Sequence, residues 1–84
     1  MTHYATASFW RSYHQLPREV QVVAKKNFDL LKHDPRHPSL RLKKVGHLWS
    51  VRVGSDHRAL ALEEYGGFQW IWIGTHAEYD RLTR

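Results

Sequence analysis

The stretch from Leu48 to Ile73 reads "LWSVRVGSDHRALALEEYGGFQWIWI", and its reading decides the fold. Apolar residues alternate with polar or small ones, the period of a half-buried strand. Gly54-Ser55-Asp56 and Tyr65-Gly66-Gly67 interrupt the alternation as turns. Three consecutive strands follow: "LWSVRV", "HRALALEE" and "FQWIWI". The Gly66-Gly67 pair suits a two-residue primed hairpin loop. Counting outward sets Tyr65 opposite Phe68, Leu62 opposite Ile71, Ala61 opposite Trp72 and Leu60 opposite Ile73. With Ser55-Asp56 as the other loop, Val53 opposes Arg58, Arg52 opposes Ala59 and Val51 opposes Leu60. One face then carries Val51, Val53, Leu60, Leu62, Ile71 and Ile73. The other carries Ser50, Arg52, Ala59, Ala61, Trp70 and Trp72. Arg58 opposes Thr75 and shares parity with the apolar face, so its guanidinium is expected at the rim, reaching water or a phosphate.

Before this meander, "LRLKKV" (Leu40–Val45) alternates in the same way and predicts a fourth strand. Upstream of it the period is helical. Phe9, Trp10, Tyr13 and Leu16 fall at helical spacing within "ATASFWRSYHQL". Pro17 starts a second helix, with Glu19 favourable to its dipole. Val20, Val23, Ala24, Phe28 and Leu31 form its apolar face. Pro35 disfavours helix at Asp34, so "DPRHPSL" is a rigid connection. The expected fold is α+β: two N-terminal helices packed on a twisted antiparallel sheet of about four strands, with a short C-terminal helix. Residues 1–84 form a single domain, as befits a chain of 84 residues.

Thirteen Lys and Arg against eight acids give a net charge of +5, with seven histidines besides. A small basic domain suits nucleic acid or an acidic protein partner. The mixing of aromatic and basic residues tilts the reading toward RNA. Cysteine is absent, which excludes disulfides and thiolate metal sites and fits a reducing cytoplasm. The N-terminus lacks the basic and apolar regions of a signal peptide, and no apolar run is long enough to span a bilayer. His33 and His37 sit four apart, but the prolines break the helix between them, so no metal site is expected.

Chemistry gathers around "WIWIGTHAEYDRL", Trp70–Leu82. Thr75 and Glu78 form a T-x-x-E capping box for the last helix. The register brings Arg52, Arg58 and His76 to one end of the sheet, and Tyr79 lies on the same side of the helix as His76. A histidine can give or take a proton near neutral pH. Arginines can hold a phosphate and stabilise developing charge. Each residue also has a plainer reading: His76 on the surface, Tyr79 packed beneath its helix, Arg52 and Arg58 as exposed strand residues. Trp70 and Trp72 suit a core. Lys43 and Lys44 suit a solvated edge, and Asp80 suits a local ion pair.

"LPREVQVVAKKNFDLLKHDPRHPSLRLKKV", "WSVRVGSDHRALAL" and "WIWIGTHAEYDRL", in that order, resemble the RelE/ParE superfamily of bacterial toxins over nearly the whole chain. The resemblance implies a type II toxin held inactive by a cognate antitoxin. In the RelE-like branch it implies metal-independent cutting of mRNA in the ribosomal A site, by attack of the RNA 2′-hydroxyl and without a cofactor. By position, Arg58 matches the family's strand arginine and His76 the catalytic position after the last strand. Tyr79 matches the C-terminal tyrosine, and Arg52 lies near a catalytic lysine of some relatives. Lys43 and Lys44 would hold RNA, and Trp72 is the candidate base contact. The ParE-like branch implies the alternative, inhibition of DNA gyrase by binding. A weakly active toxin-fold protein is the third reading. Ser50 occupies a place that is basic in some ribosome-dependent members. Many members begin with a strand, whereas "MTHYATAS" is short and weakly strand-like, so that strand is expected to be lost or rudimentary. The antitoxin is expected to be acidic or to present an amphipathic helix, covering the basic groove and the sheet edge.

Overall fold

The computed structural model describes residues 2–84, and it opens with a strand rather than with a helix. β1 (Thr2–Ala5) pairs in parallel with β5 (Gly67–Thr75), from Thr2 opposite Gly67 to Ala5 opposite Trp70. Between them in sequence come α1 (Ala7–His14), α2 (Arg18–His33), β2 (Lys43–Val45), β3 (Leu48–Val53) and β4 (His57–Glu64). A closing helix, α3 (His76–Leu82), follows β5 directly. The sheet has five strands in the order β1-β5-β4-β3-β2. Four form the expected antiparallel meander, and the N-terminal strand adds a parallel edge. The α+β class stands, and the sheet is mixed.

The two N-terminal helices cover one face of the sheet. Thr6 caps α1: its hydroxyl accepts from the Phe9 amide at 3.2 Å and donates to the Trp70 carbonyl at 3.1 Å. An eight-residue helix is marginal alone, so this tie to β5 helps hold α1 in place. Gln21 of α2 donates to the carbonyls of Tyr13 and Leu16, which fixes the joint between the helices. Asn27 donates to the Arg52 carbonyl at 3.1 Å and pins α2 to β3. Under the helices lie Tyr13, Leu31, Val51, Val53, Ala59, Ala61, Phe68, Trp70 and Ile73.

The strand expected over Leu40–Val45 is shorter. Pro38–Leu40 instead forms a 3-10 turn that seats Leu40 in the core, fully buried. Burial of a leucine is worth about 1.5–3 kcal/mol, set against the lost pairing of Leu40, Arg41 and Leu42 at a sheet edge. Among the described residues, no helix is long and apolar enough to cross a membrane.

The meander is present, but its register differs from the one counted above. The loop between β4 and β5 is Tyr65-Gly66, at φ +45° and +78°, so Glu64 rather than Tyr65 closes the hairpin, opposite Gly67. Positive φ at both loop positions is the primed geometry that matches strand twist. The other loop holds three residues, Gly54-Ser55-Asp56, and Val53 faces His57. Ile71 is an extra residue on β5: Ala61 faces Trp70, while Leu60 faces Trp72. Because side chains alternate with period two, these shifts exchange faces. Val51, Val53, Ala59, Ala61, Trp70 and Ile73 share the helix-covered face. Arg58, Leu60 and Trp72 lie on the opposite face, with Ser50 and Arg52.

Candidate functional site

The helix-free face supplies the candidate site, at the end of the sheet where β5 passes into α3. Here Arg52 on β3 stands directly opposite Arg58 on β4, and Arg58 stands opposite Gly74 on β5. Lys43 on β2 faces Ser50 and so joins the same face. Lys44 pairs with Trp49 and falls on the other face. Of the two lysines expected to hold RNA, one therefore accompanies the arginines and one does not.

Arg58 is not at the rim. It is only 8% exposed. Its guanidinium donates to the Ser50 hydroxyl at 3.3 Å and lies over the Tyr79 ring, 5.1 Å from the centroid. Its Nε is buried without a hydrogen-bond partner. Such an atom costs about 1–3 kcal/mol. Arg52 is half-buried and donates its Nε proton to the Gly54 carbonyl. Like charges directly opposite on a sheet are unfavourable. Among the described residues the ion pairs are Lys32–Asp29 and His76–Asp80, so neither arginine is neutralised. Positive charge is thus concentrated here at a cost to stability.

Helix α3 brings the remaining groups. The Thr75 hydroxyl accepts from the Glu78 amide, and Glu78 accepts from the Thr75 amide at 2.9 Å, completing the expected capping box. The Thr75 amide and, after it, the Thr75 hydroxyl donate to the Glu78 carboxylate and hold it below its ordinary pKa. The His76 amide donates to the Asp56 carbonyl at 2.7 Å, which ties the start of α3 to the β3–β4 loop. Its imidazole remains about half exposed, with Nε2 3.4 Å from the Asp80 carboxylate. Tyr79 is buried, its ring 5.8 Å from that of His76. Gly74 is required between these elements: a Cβ there would run into the Trp72 ring and come within 2.9 Å of a Glu78 oxygen. Trp72 is half-buried on the same face as Arg58.

Arg52, Arg58, Lys43 and Trp72 therefore share one face of the sheet, with Tyr79 against Arg58 and His76 against Tyr79, and Lys44 is excluded. Counting from the turns does not find Ser50 as the acceptor for Arg58, because that register sets Arg58 on the other face. Among the described residues no cluster of metal-ligating side chains occurs. What the site offers is an imidazole for proton transfer beside fixed cations for an anionic group.

No family model matches the chain, and no curated protein matches it. Solved structures do. A YoeB/ParE toxin from Agrobacterium tumefaciens superposes with a TM-score of 0.68 at 18% identity, over 90% of this chain and 99% of that one. A chain of the RelB-RelE antitoxin-toxin complex from Methanococcus jannaschii gives 0.74 at 10% identity, over 96% and 99%. YafQ from E. coli strain BL21(DE3) gives 0.74 at 12% identity, over 93% and 96%. At such identities the likeness is one of backbone architecture, and by that architecture the chain has the RelE/ParE toxin fold.

Proposed function

We propose that this chain is the toxin of a type II toxin–antitoxin pair, and that it acts as a metal-independent, ribosome-dependent mRNA endonuclease. The observation that carries the reading is the Arg52–Arg58 pair, opposed across two strands without a carboxylate, with Arg58 and the exposed imidazole of His76 both against the Tyr79 ring. An RNA phosphate would supply the missing negative charge. In the reaction the 2′-oxygen bonds to the adjacent phosphorus and the 5′-oxygen leaves, giving a 2′,3′-cyclic phosphate and a 5′-hydroxyl. His76 serves as general acid or base in that exchange. Arg58 and Arg52 stabilise charge on the phosphoryl oxygens. Tyr79 holds Arg58 in place and assists or orients at the same site, with Lys43 and Trp72 along the path of the strand. The RelB-RelE complex among the structural neighbours supports a protein antitoxin as the partner.

Primer-extension mapping of cellular mRNA after brief induction tests this, for wild type and His76→Ala. Cuts within translated regions, present in the wild type and absent in the variant, are expected. Growth arrest with intact mRNA would overturn the nuclease reading and point to gyrase. The variant is expected to fold, because His76 is exposed and its structural bond to Asp56 uses the backbone amide. Exposed substitutions of this kind shift stability by about 0.5 kcal/mol or less.

A further inference from the structure

A second basic cleft lies on the other face of the sheet, toward the opposite end from His76. It occupies about 650 Å³ between the C-terminal end of α2, the connection that follows it, and the β3–β5 surface. Its cations are Lys32, Arg36 and Arg41, and His37 lines it beside them. Asp29 and the Phe28 ring engage Lys32, whereas Arg36 and Arg41 are exposed and make no ion pair among the described residues. Nδ1 of His37 accepts the Ser39 amide at 3.2 Å, so the neutral ring carries its proton on Nε2, a fixed donor. Arg41 has φ +46°, a left-handed conformation that costs a side-chain-bearing residue energy.

Opposite the cations the wall is aromatic. Trp49 lines the cleft half-buried, tilted against Phe68 at 5.6 Å, and its indole N–H donates to Glu63 Oε1 at 2.9 Å. The other Glu63 oxygen has no partner among the described residues. We infer that this cleft binds a nucleotide unit of an RNA strand, phosphate on Arg36 and Arg41, base against Trp49. Guanidinium forks match phosphate oxygens two at a time, and an indole accepts the face of any base. The remaining Glu63 oxygen suits the amino groups on base edges, a partner that a peptide of acidic side chains does not offer. The volume is that of a small-ligand site. Cleavage at His76 is not required; only the choice of RNA is shared with the reading above.

The test is residue-resolved NMR of the His76→Ala protein, titrated with a short RNA whose riboses are 2′-O-methylated and so lack the attacking hydroxyl. The amides of Ser39 and Arg41 and the Trp49 indole N–H are expected to shift. An Arg36→Ala/Arg41→Ala variant is expected to bind about tenfold more weakly, with the salt slope reduced by about 0.7 for each phosphate no longer held. Arg36→Glu, on an exposed side chain, gives the same reading if Arg41→Ala perturbs its turn. Shifts confined to Arg52, Arg58 and the α3 start would overturn the proposal. So would a polyglutamate peptide that moves the cleft signals while RNA leaves them still. Loss of mRNA cutting by His76→Ala with cleft binding retained would show the two sites to be independent.

Discussion

The Arg58 guanidinium rests on the Tyr79 ring, 5.1 Å from its centroid, with both side chains buried. A cation on an aromatic face is worth about 2 kcal/mol when desolvated, yet here it leaves one buried Nε without a partner. A charge kept inside without a carboxylate is a poor stabiliser, and an apolar side chain of similar volume often serves the fold better. Arg58→Leu combined with Ser50→Ala, which leaves no buried hydroxyl without its partner, is therefore expected to keep the protein at least as stable, gaining about 1 kcal/mol. For a domain of this size that raises Tm by roughly 4–8 °C. Thermal unfolding checks the stability, and mRNA mapping should show cutting abolished in the same variant. A large loss of stability would mean that Arg58 is there for the fold.

Tyr79 separates into a ring and a hydroxyl. Tyr79→Ala removes a buried ring and should cost about 3–5 kcal/mol, with Arg58 left unsupported. Tyr79→Phe keeps the surface on which Arg58 rests and should change stability by less than about 1.5 kcal/mol, as volume-conserving exchanges do. Denaturant unfolding measures both. If the hydroxyl takes part in proton transfer, Tyr79→Phe cuts RNA more slowly while remaining folded. Equal cutting by Tyr79→Phe and wild type would restrict Tyr79 to holding Arg58.

His3 links acidity to folding. Its ring lies among Phe28, Phe68 and Trp70, and its Nδ1 accepts the Trp70 indole N–H at 3.1 Å. Burial foremost, with nearby positive charge including Lys32, lowers its pKa below the ordinary histidine value. The unfolded chain therefore binds a proton that the folded one resists. Stability from this group is present above the ordinary histidine pKa. It is lost as pH falls from that value through the lowered, folded-state one. Urea midpoints measured across mildly acidic pH should decline in wild type and decline less in His3→Gln. Parallel curves for the two proteins would remove His3 as the cause.

The three helices, the four-stranded meander, the capping box and the turn segments are legible in the sequence because each is local, whereas the N-terminal strand, expected to be lost or rudimentary, is not. Thr75 and Glu78 lie within one turn, and Pro17 and Pro35 bound α2 by their own chemistry. Face assignment is not local. It depends on whether Tyr65-Gly66 or Gly66-Gly67 makes the loop, and a tyrosine at φ +45° is not a favoured turn residue. The extra residue at Ile71 is equally hidden. Ser8 donates its hydroxyl proton to the Ile71 carbonyl from a helix remote in sequence. That bulge separates Trp70, in the core, from Trp72, beside the arginines. Arg58 thereby reaches the candidate site by a route that a count from the turns does not contain.

The parallel strand β1 makes the last prediction. Its sequence, Thr2-His3-Tyr4-Ala5, is short and mostly exposed, so little hydrophobic burial holds it. What seats it is pairing with β5 and the close approach of Thr2 to Gly67, where a Cβ would come within 2.6 Å of the Thr2 carbonyl oxygen. That neighbour is backbone and cannot rotate away. Gly67→Ala should therefore displace β1 and cost about 1–3 kcal/mol, the range for overpacking. Amide exchange should speed at His3–Ala5 before it speeds in β3 or β4, since the meander keeps its own pairing. The His3–Trp70 hydrogen bond would weaken with the strand, so the acid dependence assigned to His3 should diminish in the same variant. Unchanged exchange at His3–Ala5 in a folded Gly67→Ala protein would mean that β1 is not held against Gly67.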